Sequence, residues 1–237
     1  MQTVANPSVR AVCWSCAKPL EGTAALCLEC GKVQPASAVQ DYFAVFGLSR
    51  KLAIDTAALE RSFYKLSRKL HPDVYARASA DEQQWSLDQT SLLNDAYRTL
   101  RNPVSRTEYL LKLEGKPVAS EEQSAQGDKP KDSRAPADML EEVFELNMQL
   151  EEMRMNRKMG EDDPTLRGDL EKARIQFEGK LAAIDEELKT HWQQWDAAVE
   201  AGTTESAEPL KDSMFALLDR RRYIRNLVRD VNGALGA

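Results

Sequence analysis

The four cysteines are the sequence feature that most restricts the possible fold of the N-terminal segment. All of them lie between positions 13 and 30 of the 237-residue sequence, in the spacing C-x2-C-x10-C-x2-C. Two residues between a pair of thiolates let one turn place both sulfurs on one metal ion, and two such turns complete a closed tetrahedral shell. Residues 1–36 have little apolar content, so we expect metal binding and folding of this unit to be coupled. The spacing therefore predicts one structural zinc ion, bound by Cys13, Cys16, Cys27 and Cys30.

Other uses of these cysteines stay open on the sequence alone: a rubredoxin-like iron site, two disulfides or a redox-active pair. Disulfides persist in oxidising compartments, but the segment from Met1 to Arg10 lacks the basic region and apolar stretch that mark a secretory signal. The same segment has one arginine where a mitochondrial presequence carries several. We therefore expect a bacterial cytoplasmic protein, with the mitochondrial matrix the less favoured location.

Composition and periodicity divide the rest of the chain into helical blocks. Helical apolar spacing runs through residues 41–115 and returns over 138–237, whereas residues 116–137 are rich in proline, glycine and polar side chains. We predict an all-α protein: a small zinc-knuckle module at 1–36, a helical hairpin bundle, a linker, and a C-terminal antiparallel three-helix bundle. We also expect the cysteine module and the helical blocks to have separate cores. Apolar runs are far shorter than the roughly 20 residues that cross a bilayer, so no membrane partner is expected.

One helix of the middle block presents two distinct faces. Asp55 supplies its N-cap, and Pro72 ends it. Apolar residues at i, i+4, i+7 and i+11 form the predicted core face: Leu59, Phe63, Leu66 and Leu70. Basic residues form a stripe on another face, which we call the basic stripe: Arg61, Lys65, Arg68 and Lys69.

The tripeptide His71-Pro72-Asp73 comes directly after the basic stripe. In isolation it is typical of a turn in which proline fixes the backbone and aspartate caps the next helical segment. Here it stands in order with four further motifs: Tyr42-Phe43, Gly47-Leu48, Tyr64-Lys65-Leu66 and Asn94-Asp95-Ala96-Tyr97. With them, residues 41–115 resemble a J-domain, a family whose His-Pro-Asp loop docks on a heat-shock-70-class chaperone and accelerates its ATP hydrolysis. The resemblance implies a chaperone-binding surface made of Arg61, Lys65, Arg68, Lys69, His71, Pro72 and Asp73.

The segment that ends this block indicates which group of J-domain proteins the chain resembles. Residues 106–115, RTEYLLKLEG, are similar to the end of the J-domain in HscB-type co-chaperones of iron–sulfur cluster assembly. In that family a three-helix C-terminal domain comes next and binds an IscU-type scaffold, and some members carry an N-terminal four-cysteine zinc module. The resemblance covers all three blocks. It implies a non-enzymatic co-chaperone that stimulates the chaperone's ATPase and delivers the scaffold to it.

The first helix of the last block has two apolar faces. Winding at about 100° per residue predicts one face toward the bundle core, made of Met139, Val143, Leu146, Leu150 and Met153. A second group collects on nearly the opposite face: Leu140, Phe144, Met148 and Met155. A helix packed on one side does not need this second group, so we interpret it as a partner surface. The alternative is that it packs against the J-domain or a neighbouring helix.

The family resemblance matches this helix only in part. Glu145-Leu146 and Leu150 agree with the family's scaffold-binding helix, whereas Asn147 and Met148 stand where arginine and glutamate are usual. On the last helix, Tyr223-Ile224 resembles an aromatic-aliphatic pair that adds a second contact. The predicted scaffold-binding residues are Leu140, Phe144, Glu145, Met148 and Tyr223.

Two other functions stay open. A J-domain co-chaperone for other clients would keep the ATPase effect but have no affinity for a cluster scaffold. A zinc-ribbon nucleic-acid-binding protein is the second, but a net charge of −6 and the lack of a strongly basic segment argue against a nucleic-acid partner. The sequence does not fix the oligomeric state.

Overall fold

The computed structural model of the chain describes residues 12–20, 24–36, 41–116, 118 and 136–236. These residues form seven α-helices and no β-strand, which confirms the predicted all-α fold. The helices are α1 (Tyr42–Val45), α2 (Thr56–Leu70), α3 (Ala80–Arg101), α4 (Pro103–Leu113), α5 (Leu140–Met159), α6 (Pro164–Ala201) and α7 (Glu208–Leu235).

Contacts divide the chain into two units, Met1–Arg106 and Thr107–Ala237, and the division falls within α4. Of the predicted linker at 116–137, residues 117 and 119–135 lie outside the described residues, and the predicted domain boundaries stay predictions. Among the helices described, none combines the length and the apolar character that a bilayer crossing requires.

Capping explains where the helices of the first unit begin. The carboxylate of Asp55 accepts hydrogen bonds from two backbone N–H groups in the first turn, so α2 starts at the predicted position. It ends at Leu70, and Pro72–Tyr75 form one 3-10 turn. A capping box then starts α3: the Ser79 hydroxyl accepts from the backbone N–H of Glu82, and the Glu82 carboxylate accepts from that of Ser79. The turn is therefore held between two well-defined helix ends.

The described part of the cysteine module shares an apolar core with the helical block, contrary to the expectation from the sequence. Val33 is fully buried and belongs to one apolar cluster with three residues of the helical block, Leu70, Tyr75 and Leu93. Trp14 meets Trp85 of α3 edge-on, with ring centroids 5.3 Å apart. A module this small has too little apolar surface to bury within itself, so its few apolar side chains pack on the neighbouring helices. The expectation of separate cores is wrong for this reason.

Three helices, α5, α6 and α7, form the bundle of the second unit. Gly160 ends α5 in the left-handed conformation, and the Asp163 carboxylate caps the start of α6. The predicted core face of the first helix is buried along its whole length: Met139, Val143, Leu146, Leu150 and Met153. From α6 the bundle core receives Leu166, Leu170, Phe177, Ile184, Leu188 and Trp195. With one face of α5 committed to this core, its other face is left for different contacts.

Candidate functional sites

Four thiol sulfurs converge in the cysteine module. The Sγ atoms of Cys13 and Cys30 are 3.6 Å apart, and those of Cys16 and Cys27 are 3.7 Å apart. All four lie within 4.8 Å of one another. A zinc ion bound by four sulfurs at about 2.3 Å requires sulfur separations of about 3.8 Å, so the arrangement fits a tetrahedral thiolate site. The predicted ligands form one cluster.

Two similar backbone turns build this cluster. The N–H of Ala17 donates to the C=O of Cys13, and the N–H of Gly31 donates to the C=O of Cys27, each at 2.9 Å. Ala17 and Gly31 both adopt a left-handed backbone, with φ of 57° and 71°. Glycine takes this conformation freely, whereas it costs an alanine about 1–2 kcal/mol. The first turn is therefore the strained one of the two.

The module favours the thiolate form of Cys13. Burial acts to raise the pKa of this thiol, but hydrogen bonds from backbone groups of Cys16 and Ser15 and from the neighbouring thiols lower it, while the same thiol contacts raise the pKa of Cys16. The N–H of Ser15 and the Nε2 of Gln34 each lie 3.4 Å from Cys13 Sγ and donate to it. Metals bind the thiolate, and donors of this kind orient and stabilise a thiolate ligand. Two donors at 3.4 Å therefore stand where they would support Cys13 as a thiolate ligand.

The His71-Pro72-Asp73 turn lies at the end of α2 with its polar groups in solvent. The backbone N–H of Asp73 donates to Nδ1 of His71 at 3.3 Å, and the N–H of Val74 donates to the His71 C=O at 2.9 Å. The side chain of Asp73 is 92% exposed and that of His71 is 55% exposed. Side chains this exposed contribute little to packing and are accessible to a partner.

Buried contacts hold the base of the same turn. The C=O of Leu70 accepts hydrogen bonds from Ser86 Oγ at 2.6 Å and from Thr90 Oγ1 at 3.0 Å. Tyr75, the last residue of the turn, is buried, and its burial raises the pKa of its hydroxyl. The turn is thus exposed at its tip and fixed at both ends.

The basic stripe leads along α2 to this turn. All four of its side chains are exposed, whereas Leu59 and Leu70 on the core face are buried. Arg61 lies 3.9 Å from Asp55 in a solvent-exposed ion pair, which is a weak interaction. The structure therefore places the predicted chaperone-binding residues on one continuous segment: Arg61, Lys65, Arg68, Lys69, His71, Pro72 and Asp73.

The second apolar group on α5 lies on an exposed helix face. Phe144 is 68% exposed, whereas Leu146, two residues later, is 2% exposed. Leu140, Met148 and Met155 are exposed as well, so the group is not covered by any helix in the described part of the chain. We call these residues the α5 face: Leu140, Phe144, Met148 and Met155. Met159 is also exposed and lies at i+4 from Met155, so helical spacing could have included it.

The other two predicted scaffold contacts lie off this face. Glu145 is exposed and lines a shallow groove between α5 and α6. Tyr223 is half-buried on α7, where it lines a cavity of about 750 Å³ together with Pro136, Ile184 and Phe215. Burial raises the pKa of the Tyr223 hydroxyl. The structure therefore gathers Leu140, Phe144 and Met148 on one surface and leaves Glu145 and Tyr223 on different ones.

Comparison with known proteins gives consistent results for both units. Residues 41–109 match the family model described as DnaJ domain. The iron–sulfur cluster co-chaperone protein HscB of Mus musculus is 31% identical over 166 residues, which is 69% of this chain and 67% of the mouse protein. The crystal structure of human co-chaperone protein HscB shares the fold at a TM-score of 0.60 and 24% identity, covering 94% of this chain and 97% of the human one. Chaperone HscB from Vibrio cholerae shares it at a TM-score of 0.52 and 22% identity, covering 82% and 96%.

Proposed function

The chain belongs to the HscB family of J-domain co-chaperones of iron–sulfur cluster assembly, and from this premise we propose that it stimulates ATP hydrolysis by a heat-shock-70-class chaperone and delivers an IscU-type scaffold to it. The observation that best supports the proposal is the exposed His71-Pro72-Asp73 turn at the end of the basic stripe. Hydrolysis takes place on the chaperone, so the chain acts as its activator and needs no catalytic residue of its own.

In this proposal the basic stripe attracts the chaperone and so brings the turn to it. Four cations on one helix face attract an acidic surface over a distance of about 8–10 Å at moderate salt, which speeds the encounter. His71 and Asp73 then make the specific contact, because both are exposed at the tip of a turn whose ends are fixed. Steering and specificity thus come from neighbouring but different residues.

Charge reversal in the basic stripe is expected to slow association. The double variant Lys65→Glu/Arg68→Glu should reduce the association rate constant about tenfold or more at low salt and remove most of its salt dependence, because steering depends on the sign of the charge. Stopped-flow association with the chaperone at several salt concentrations measures both quantities.

The matched control is Lys172→Glu/Lys189→Glu, which makes the same change in net charge at two exposed lysines of α6. It should associate at nearly the wild-type rate. Equal slowing by both double variants would mean that net charge, rather than the basic stripe, governs the encounter.

The α5 face is the surface that we propose for the scaffold. Its apolar side chains have exposed carboxylates of the same helix near them, such as Glu141 beside Leu140. A partner of matching chemistry presents an apolar patch with basic side chains around it. Tyr223 on α7 would make a second, separate contact.

Calorimetric titration of the full chain with an IscU-type scaffold tests this half of the proposal. We expect one scaffold per chain and a negative heat-capacity change, since apolar surface is buried on binding. No binding of the scaffold by a protein that still stimulates the chaperone would favour a J-domain co-chaperone for other clients.

For the cysteine module we propose one structural zinc ion. Elemental analysis of protein purified under reducing conditions should find one zinc per chain, because the four sulfurs form a closed tetrahedral shell. The variant Cys16→Ser/Cys27→Ser is the control and should contain none. Metal-free protein with four titratable thiols would rule the site out, and one iron with iron–thiolate absorption would identify a rubredoxin-like site instead.

A further inference from the structure

Lys32, Val33 and Gln34, which follow the second cysteine pair, connect the module to the elements that flank the His71-Pro72-Asp73 turn. Val33 is fully buried and shares an apolar cluster with Leu70 and Tyr75. Leu70 immediately precedes His71, and Tyr75 ends the turn. A side chain from the cysteine module thus packs with both ends of the turn.

Lys32 reaches the start of α3, the next helix after the turn. Its Nζ lies 2.7 Å from Oε1 of Glu82, whose side chain is buried. Glu82 also forms the capping box with Ser79. A charge-assisted hydrogen bond to a buried carboxylate is stronger than a neutral one. Lys32 therefore secures the residue that fixes the first turn of α3.

Gln34 links the metal ligands to the middle of α3. Its Nε2 donates to Cys13 Sγ at 3.4 Å and to the C=O of Lys32 at 2.9 Å, and its own C=O accepts from Nε2 of Gln89 at 3.0 Å. Gln34 and Gln89 are both buried, so these hydrogen bonds are shielded from water. In addition, Trp14 Nε1 donates to the C=O of Val33 at 2.7 Å.

These contacts depend on a folded cysteine module. Its described residues contain two isolated β-bridges and no helix, and a unit of this size needs a metal to fold. We infer that Lys32, Val33 and Gln34 are positioning residues, which hold the His71-Pro72-Asp73 turn in the geometry that it presents to the chaperone, and that metal binding maintains this hold. The inference rests on the proposed function, because in that function the turn is the part of the chain that contacts the chaperone.

The test compares two variants with their conservative counterparts. Val33→Ala removes most of the side chain that Val33 contributes to the cluster with Leu70 and Tyr75. Lys32→Met removes the ion pair but keeps most of the aliphatic stem. Val33→Ile and Lys32→Arg are the conservative counterparts. Lys18→Met is the matched control, since Lys18 is an exposed lysine of the same module. Amide hydrogen exchange and single-turnover ATPase titrations are measured on the full chain.

Amide hydrogen exchange measures how firmly the turn is held when no chaperone is present. The amides of Val74 and Ala78 donate to the C=O groups of His71 and Tyr75, both at 2.9 Å. In Val33→Ala and Lys32→Met we expect these two amides to exchange about fivefold faster or more, with the central amides of α2 unchanged. Chelation of the metal in the wild-type protein should give the same local pattern, while Lys18→Met should not.

The ATPase titration separates positioning from docking. In both variants the maximal stimulated rate should fall about threefold or more, with the half-saturating concentration changed less than about twofold, because the basic stripe stays intact. Val33→Ile and Lys32→Arg should recover most of the rate.

Wild-type exchange at Val74 and Ala78 in both variants would overturn the inference, and so would faster exchange with an unchanged maximal rate. A wild-type protein that does not stimulate the chaperone would instead contradict the proposed function. In that case the exchange measurement still decides whether the module holds the turn.

Discussion

Replacing Asp73 with asparagine is expected to bring stimulation of the chaperone ATPase down to its basal rate. The substitution keeps the shape of the side chain and removes its charge, and the carboxylate is 92% exposed at the tip of the turn. An exposed group of this kind contributes to recognition and little to packing, so the free energy of unfolding should change by less than about 0.5 kcal/mol. His71→Gln should behave in the same way.

Single-turnover ATP hydrolysis and thermal unfolding together check this prediction. The matched control is Asp81→Asn, which removes the charge of an exposed aspartate in the first turn of α3. It should stimulate as the wild type does. If Asp73→Asn lost activity only in proportion to lost stability, the tripeptide would be an ordinary structural turn.

Truncating Phe144 to alanine should weaken scaffold binding strongly while changing the stability of the free protein little. Phe144 is 68% exposed, so its loss in the free protein should change the free energy of unfolding by less than about 1 kcal/mol. An aromatic anchor that becomes fully buried at an interface commonly contributes about 2 kcal/mol or more, which corresponds to roughly thirtyfold weaker binding. Calorimetric titration with the scaffold and chemical denaturation of the free protein measure the two effects.

Leu150→Ala is the control on the opposite face of α5, where Leu150 is buried in the bundle core. It should cost about 2–5 kcal/mol of stability and weaken binding only to the extent that the protein unfolds. The assignment of the α5 face would be wrong if Phe144→Ala destabilised the free protein by several kcal/mol or left the affinity unchanged.

The features that are predictable from sequence depend on spacing within one segment. The two cysteine pairs fix a four-sulfur cluster because each turn places two ligands side by side. The faces of α5 result from the rotation per residue, and the structure buries Leu146 while it exposes Phe144. The start of α2 at Asp55 results from capping. Each of these features depends on residues close together in the chain, so the sequence alone is enough to predict it.

The docking of the cysteine module is not predictable in this way, because its contacts join residues far apart in the chain. Lys32 pairs with Glu82, and Trp14 meets Trp85, across stretches in which the sequence shows no shared period. Val33 lies outside any helix or strand, in an isolated β-bridge with Leu26, where no repeat marks a buried position.

Two of the predicted scaffold contacts, Glu145 and Tyr223, rest on family resemblance rather than on helical spacing. The structure leaves both away from the α5 face. Resemblance transfers a residue's role without its surroundings, so it does not tell which side chains of this chain share a surface. Their assignment stays a prediction.

Single-turnover ATP hydrolysis by a heat-shock-70-class chaperone tests the central claim most directly. The rate is measured with the chaperone alone, with this protein, with an IscU-type scaffold, and with both together. The account predicts that this protein alone raises the rate and that the two together raise it by more than the sum of their separate effects, since one chain engages both partners. No increase with this protein, or no further increase when the scaffold is added, would contradict it.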